Sequence, residues 1–123
     1  MYTTVGWRIT GILSVRNLAV HLPELYKKTT FAMVLHLHIA GKVQGVFYRA
    51  SAKEIADQLG IRGWVRNTQN GEVEIMALGD KQALERFVSW CREGPPKARV
   101  TEVRVTEKEE MEFGQFSIVK TSY

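Results

Sequence analysis

The chain lacks the features of several large protein classes, and these absences narrow its fold and environment. It has a single cysteine, Cys91, so an internal disulfide is impossible and a reducing compartment, the cytoplasm, is expected. The apolar stretch at residues 9–22 is interrupted by Arg16 and Asn17 and is too short to span a bilayer. We therefore expect no membrane partner. At 123 residues the chain suffices for one two-layer domain, expected to be a monomer.

Net positive charge is small outside the N-terminus. The formal net charge is +4, of which residues 1–32 contribute +3 and residues 33–123 only +1. The near-neutral second segment excludes a broad basic surface, and no nucleic-acid partner is expected. Residues 1–32 are predicted to be an extension outside the fold, although arginines and few acids also fit a transit peptide. Residues 33–123 are predicted to form the domain, so a chain starting at Met33 should fold and function.

The first part of this domain has two clear periodic segments. Residues 34–40 alternate between apolar and polar side chains, which predicts a half-buried strand with His36 and His38 facing away from the core. Two histidines do not make a metal site and no third ligand is evident nearby in the sequence, so no metal is expected. An apolar stripe at residues 52–59 predicts a helix, and Gly60 suits its C-terminal end.

The second part alternates strands with another helix. The Asn70-Gly71 pair predicts a tight hairpin in which both residues take positive φ angles. Asp80 is predicted to cap a helix whose apolar stripe includes Cys91 and which ends at residues 94–96. Further strands are predicted at residues 61–69, 72–78, 100–106 and 116–119.

The predicted element order is β-α-β-β-α-β with a short extra strand at the C-terminus. Right-handed crossovers in the two strand–helix–strand units place both helices on one face of a mostly antiparallel sheet. The predicted fold class is therefore α+β, a ferredoxin-like α/β sandwich. This fold alone leaves the function open.

The run GKVQGVFYR at residues 41–49 lies between the first strand and the first helix. A glycine-containing turn that leads into a helix directs backbone N–H groups at one point, where the helix dipole favours negative charge. Arg49 adds a guanidinium whose fork matches two phosphate oxygens. The run therefore predicts a phosphate site, although Arg49 could instead form a surface ion pair with Glu54 or Asp57.

Asn67 is the second candidate for the site. It shares strand parity with Val65, so both face the helices if Val65 does. Its carboxamide has donor and acceptor atoms and could orient a water toward a bound phosphorus. The alternative is that Asn67 only favours the turn at the strand's end.

Residues 41–49 contain no His, Asp, Glu, Cys or Ser. Cleavage of an alkyl phosphate expels an alkoxide, whose conjugate acid is about as weak as water (pKa ~15.7), and needs an acid or a metal. A carboxylate, whose acid has a pKa of about 4, leaves without such help. The absences therefore favour a mixed anhydride of phosphate and carboxylate as substrate.

Two stretches together resemble the signatures of the acylphosphatases. The first is residues 41–49, in which Tyr48 stands where Phe or Met is more common, and the second is GWVRN at 63–67 with GEV at 71–73 and Gly79. The resemblance implies hydrolysis of small acyl phosphates without cofactor or metal, with Arg49 binding phosphate and Asn67 orienting the attacking water. The substrate-binding residues it implies are Gln44, Gly45, Val46, Phe47, Tyr48 and Arg49.

Two other functions remain open at this point. A non-enzymatic anion-binding regulatory module could use the same loop, although mere binding would not require Asn67. A single-stranded RNA binder could share the fold, but it needs aromatic residues on the central strands of the face away from the helices. Residues 34–40 place His36 and His38 there instead.

Overall fold

The computed structural model describes residues 32–120. Of the predicted N-terminal extension, residues 1–31 lie outside the described residues, whereas Ala32 pairs with Asp80 in the sheet. The elements are β1 (Ala32–Lys42), α1 (Tyr48–Leu59), β2 (Arg62–Asn67), β3 (Val73–Asp80), α2 (Lys81–Glu93), β4 (Arg99–Lys108) and β5 (Ser117–Ile118). Neither helix of this part of the chain is long and apolar enough to cross a membrane.

The sheet has the strand order β4-β1-β3-β2-β5 and confirms the predicted ferredoxin-like sandwich. β1 pairs antiparallel with both β3 and β4, and β2 pairs antiparallel with β3. The short β5 lies parallel to β2, with Ile118 opposite Val65. β1 is longer at both ends than the alternating pattern predicted, because pairing with β3 and β4 continues beyond residues 34–40.

The core lies between the sheet and the two helices. Leu37, Ile39 and Val65 are fully buried on the helix side of the sheet. They pack in one cluster with the apolar stripes of the helices, including Ala52, Ala56, Leu84, Phe87 and Cys91. Burial of such apolar surface is the main driving force for the fold.

The helix ends follow the sequence predictions. Gly60 ends α1 with φ 72°, a left-handed conformation that glycine adopts without a steric penalty. The Asp80 carboxylate accepts a hydrogen bond from the Ala83 N–H at 2.8 Å and caps α2. Gly94, with φ 71°, ends α2 immediately before the two prolines.

The β2–β3 hairpin differs from the predicted two-residue turn. The Gly71 N–H donates to the backbone carbonyl oxygen of Thr68 at 3.3 Å, and the Thr68 N–H donates to the backbone carbonyl oxygen of Glu72 at 2.9 Å. Gly71 has φ 88°, but Asn70 is not at positive φ, so that half of the prediction is wrong. A longer loop that ends in one left-handed residue also matches the twist of the two strands. Such a loop needs positive φ only at Gly71.

The sheet face opposite the helices carries a polar cluster. His36 Nε2 lies 2.6 Å from Glu74 Oε2, and Arg66 Nε donates to Glu74 Oε1 at 2.8 Å. Burial alone would raise the pKa of Glu74, but the hydrogen bonds from His36 and Arg66 outweigh it and lower the pKa below its ordinary value. The expectation of no third ligand near His36 and His38 is wrong, because β1–β3 pairing places Glu74 opposite His38.

Candidate functional site

The loop from Val43 to Phe47 joins β1 to α1 and takes two left-handed conformations. Gly45 has φ 75°, and Phe47, at the helix N-cap, has φ 67°. A bulky residue at positive φ is strained, and such strain is concentrated at functional sites. Phe47 is 77% exposed, so packing of its side chain does not account for this conformation. The loop is thus held in a shape that Phe47 does not prefer.

The N-terminus of α1 offers backbone donors. No side chain of the described residues caps it, and its first turn contains no acidic residue. The first backbone N–H groups of a helix have no partner within the helix, and the dipole places positive charge at this end. Both properties favour an anion beside the loop.

Arg49 lies in the first turn of α1 and is half-buried. It lines a surface cavity of about 340 Å³ together with Gly45, Phe47 and Ile118 of β5. Within residues 32–120 no carboxylate forms an ion pair with it, and Asp57 instead pairs with Lys53 at 2.8 Å. The alternative of a surface ion pair for Arg49 therefore finds no partner in this part of the chain.

Gln44 connects the loop to the β2–β3 hairpin. Its side-chain Nε2 donates to the backbone carbonyl oxygen of Thr68 at 2.9 Å and to that of Glu72 at 2.8 Å. Thr68 directly follows Asn67 along the chain, so this side chain fixes the loop against the end of β2 that carries Asn67. The first predicted signature is thereby brought to the second.

Asn67 ends β2, and its side chain is on the same side as the buried Val65, as strand parity predicts. Its carboxamide oxygen is buried and accepts no hydrogen bond from any of the residues 32–120. An unpaired buried acceptor lowers stability, so this oxygen is available to a water or a ligand that would pair with it. The choice between a role toward a ligand and a role only in favouring the turn therefore stays a prediction.

Two of the predicted binding residues direct their side chains into the core. Val46 is 5% exposed and Tyr48 1% exposed. The Tyr48 hydroxyl donates to the Cys91 carbonyl oxygen at 2.8 Å and ties the first turn of α1 to the last turns of α2. Val46 and Tyr48 can therefore offer a ligand their backbone N–H groups but not their side chains.

Cys91 is a core residue, in agreement with its place in the apolar stripe of α2. It is fully buried in the core, and burial raises the pKa of its thiol to about 12. A neutral, inaccessible thiol is a poor nucleophile. The side chain acts in packing.

Sequence reasoning missed why the signatures begin with glycine. A Cβ at Gly41, where φ is 122°, would collide with the backbone oxygen of Arg99 on β4. A Cβ at Gly63, where φ is 135°, would collide with the backbone oxygen of Met76 on β3. Both glycines permit close approach of neighbouring strands, which only the pairing partners reveal.

Comparisons with known proteins agree with this architecture. Residues 35–118 match the family profile described as Acylphosphatase. An acylphosphatase of Methylococcus capsulatus is 47% identical over 87 residues, covering 70% of this chain and 95% of that protein. One from Pyrobaculum islandicum is 50% identical over 88 residues, covering 70% and 93%. The solved acylphosphatase of Coxiella burnetii has a TM-score of 0.70 and 35% identity over 72% of this chain and 93% of that one. The chain belongs to the acylphosphatase family.

Proposed function

We propose that this chain hydrolyses acyl phosphates to a carboxylate and inorganic phosphate. The observation that carries the proposal is the pair of hydrogen bonds that Gln44 donates to the β2–β3 hairpin. They hold the loop before the uncapped start of α1, which bears Arg49, against the end of β2, which bears Asn67. Membership of the acylphosphatase family supports the same reaction.

The phosphate would bind at the loop. Backbone N–H groups of residues 44–49 and the Arg49 guanidinium surround its oxygens with donors that are in place before the substrate arrives. Preorganised donors stabilise charge in the transition state without a reorganisation cost. Because Gln44 uses its side-chain amide on the hairpin, its contribution to the phosphate is its N–H.

Asn67 would orient the attacking water. The water oxygen forms a bond to phosphorus while the bond from phosphorus to the acyl oxygen breaks, and the carboxylate leaves with that electron pair. The water's proton passes to a phosphate oxygen. Positioning and charge stabilisation suffice for such phosphoryl transfer because the leaving group needs no protonation.

Catalysis without cofactor or metal is part of the proposal. It is supported by the lack of His, Asp, Glu and Cys in residues 41–49. We also propose that the protein is a monomer and that it lies in the cytoplasm. The single buried cysteine suits a reducing compartment.

The experiment measures hydrolysis of an aromatic acyl phosphate by its ultraviolet absorbance, with EDTA present. We expect turnover by the wild type and losses of at least ~10²-fold in Arg49→Ala and in Asn67→Ala, as for removal of one transition-state donor. Arg86→Ala and Gln82→Ala, which change exposed residues of α2 away from the loop and the hairpin, should retain full activity. Full activity in Arg49→Ala would refute the mechanism.

Phosphate affinity separates this enzyme from a regulatory anion-binding module. Inorganic phosphate should inhibit competitively as a product, with affinity lost in Arg49→Ala and largely kept in Asn67→Ala. Phosphate binding without turnover in the wild type would instead support the module.

A further inference from the structure

His36, His38 and Glu74 converge on the sheet face opposite the helices. One nitrogen of each histidine and one Glu74 oxygen all lie within 4.8 Å of one another. The histidines are two residues apart on β1, and their ring centroids are 4.7 Å apart. Tetrahedral ligands at about 2.0–2.1 Å from a zinc ion are roughly 3.3 Å apart, so small side-chain rotations suffice to close the site.

The Glu74 carboxylate is already oriented for such a site. Its Oε1 accepts from Arg66 Nε at 2.8 Å, which leaves Oε2 directed at the two rings. Oε2 lies 2.6 Å from His36 Nε2 and 3.9 Å from His38 Nε2. Outer contacts of this kind hold ligands in position at metal sites.

One ring nitrogen of His38 lacks a hydrogen bond from the described part of the protein. Its Nδ1 is buried and has no hydrogen-bond partner in the part of the chain that the structure describes. Glu72 Oε1 lies 3.5 Å from this nitrogen. A metal on Nε2 would keep the ring proton on Nδ1, where it faces the Glu72 carboxylate, the arrangement that usually supports a metal-bound histidine.

We propose that His36, His38 and Glu74 bind one divalent first-row transition metal ion, with Zn²⁺ as the reference case. Two imidazoles and one carboxylate suit Zn²⁺, Ni²⁺ or Cu²⁺, whereas Mg²⁺ and Ca²⁺ prefer oxygen ligands throughout. Three protein ligands leave a fourth position for water. Two arginines lie near the site, but their positive charges are balanced by ion pairs. Arg66 pairs with Glu74, and Arg104 pairs with Glu72.

The test titrates the full-length chain, without any affinity tag, with Zn²⁺ in competition with a chromophoric chelator. We expect one equivalent to bind, Mg²⁺ not to displace it, and His38→Gln and Glu74→Gln each to weaken binding at least ~10-fold. His21→Gln is the matched control, because His21 is the remaining histidine of the sequence. It should bind Zn²⁺ as the wild type does.

A second measurement needs no variant. The imidazole ¹⁵N resonances of His36 and His38 in the wild type should both shift with a stoichiometry of one Zn²⁺. Absence of Zn²⁺ binding, unshifted resonances, or equal loss of affinity in His21→Gln and His38→Gln would overturn the site.

Discussion

The two helices of the domain begin in different ways. α2 follows β3 directly, and the Asp80 carboxylate accepts a hydrogen bond from the Ala83 N–H at 2.8 Å. α1 follows a loop with two left-handed residues, and no side chain of the described region caps it. Both helices are packed against the same core, so their different N-termini do not reflect different burial.

The difference shows how one fold can use the same local feature for stability or for binding. A carboxylate at the start of α2 satisfies a backbone donor and the dipole within the protein itself. The start of α1 leaves its donors for another anion and places Arg49 beside them. A cap at α1 would compete with the phosphate that we propose for this position.

Among changes that test the contrast between the two helix starts, the largest effect is expected from a negative charge at Phe47, the N-cap of α1. Phe47→Asp and Phe47→Asn remove the same exposed ring and introduce residues that tolerate left-handed φ, so they differ mainly in charge. A charge about 6 Å from phosphate, at an effective dielectric of 20 to 80, costs roughly 0.7–2.8 kcal/mol. We expect phosphate to inhibit Phe47→Asp about tenfold more weakly than Phe47→Asn. Equal inhibition constants would show that α1 does not bind the anion.

A smaller effect, on stability alone, is expected from removing the cap of α2. Asp80→Ala should lower the free energy of unfolding by about 1 kcal/mol, whereas Asp80→Asn keeps a capping oxygen and should lose less. Denaturant titration of both variants measures this difference. Activity per folded molecule should be unchanged, and a fall in phosphate affinity would contradict the separation of the two helix starts.

The smallest effect is expected from removing residues 1–32. If they contribute to neither helix start, the shortened chain beginning at Met33 should match the full chain in phosphate affinity. Its free energy of unfolding should agree within about 0.5 kcal/mol. Loss of activity or solubility would show that this segment belongs to the working protein.

Local signals in the sequence predicted most of the fold. Asp80, Gly60 and Gly94 act at helix ends, where the effect of a residue depends on its immediate neighbours, and their placement is confirmed. The prediction of positive φ for Asn70 is wrong because the Asn-Gly pair fits more than one loop length. The choice depends on the register of β2 and β3.

The sites depended on pairing between distant strands and were less predictable. The position of Arg49 at a helix start was readable from the sequence, whereas its functional role, like that of Asn67, stays a prediction. Two of their contacts join segments that are far apart in the sequence. Gln44 bonds to the β2–β3 hairpin, and Glu74 of β3 lies beside His36 of β1. Only the sheet order shows which strands are neighbours.

The Gln44 side chain also bears on the order in which the protein forms. Its acceptors on Thr68 and Glu72 are 24 and 28 residues away along the chain, so the loop cannot take its final shape before the β2–β3 hairpin has docked. Contacts of such sequence separation form late, after the entropy of closing the intervening chain has been lost. The ability to bind phosphate should therefore appear during refolding together with the complete sheet, and not with the first helix.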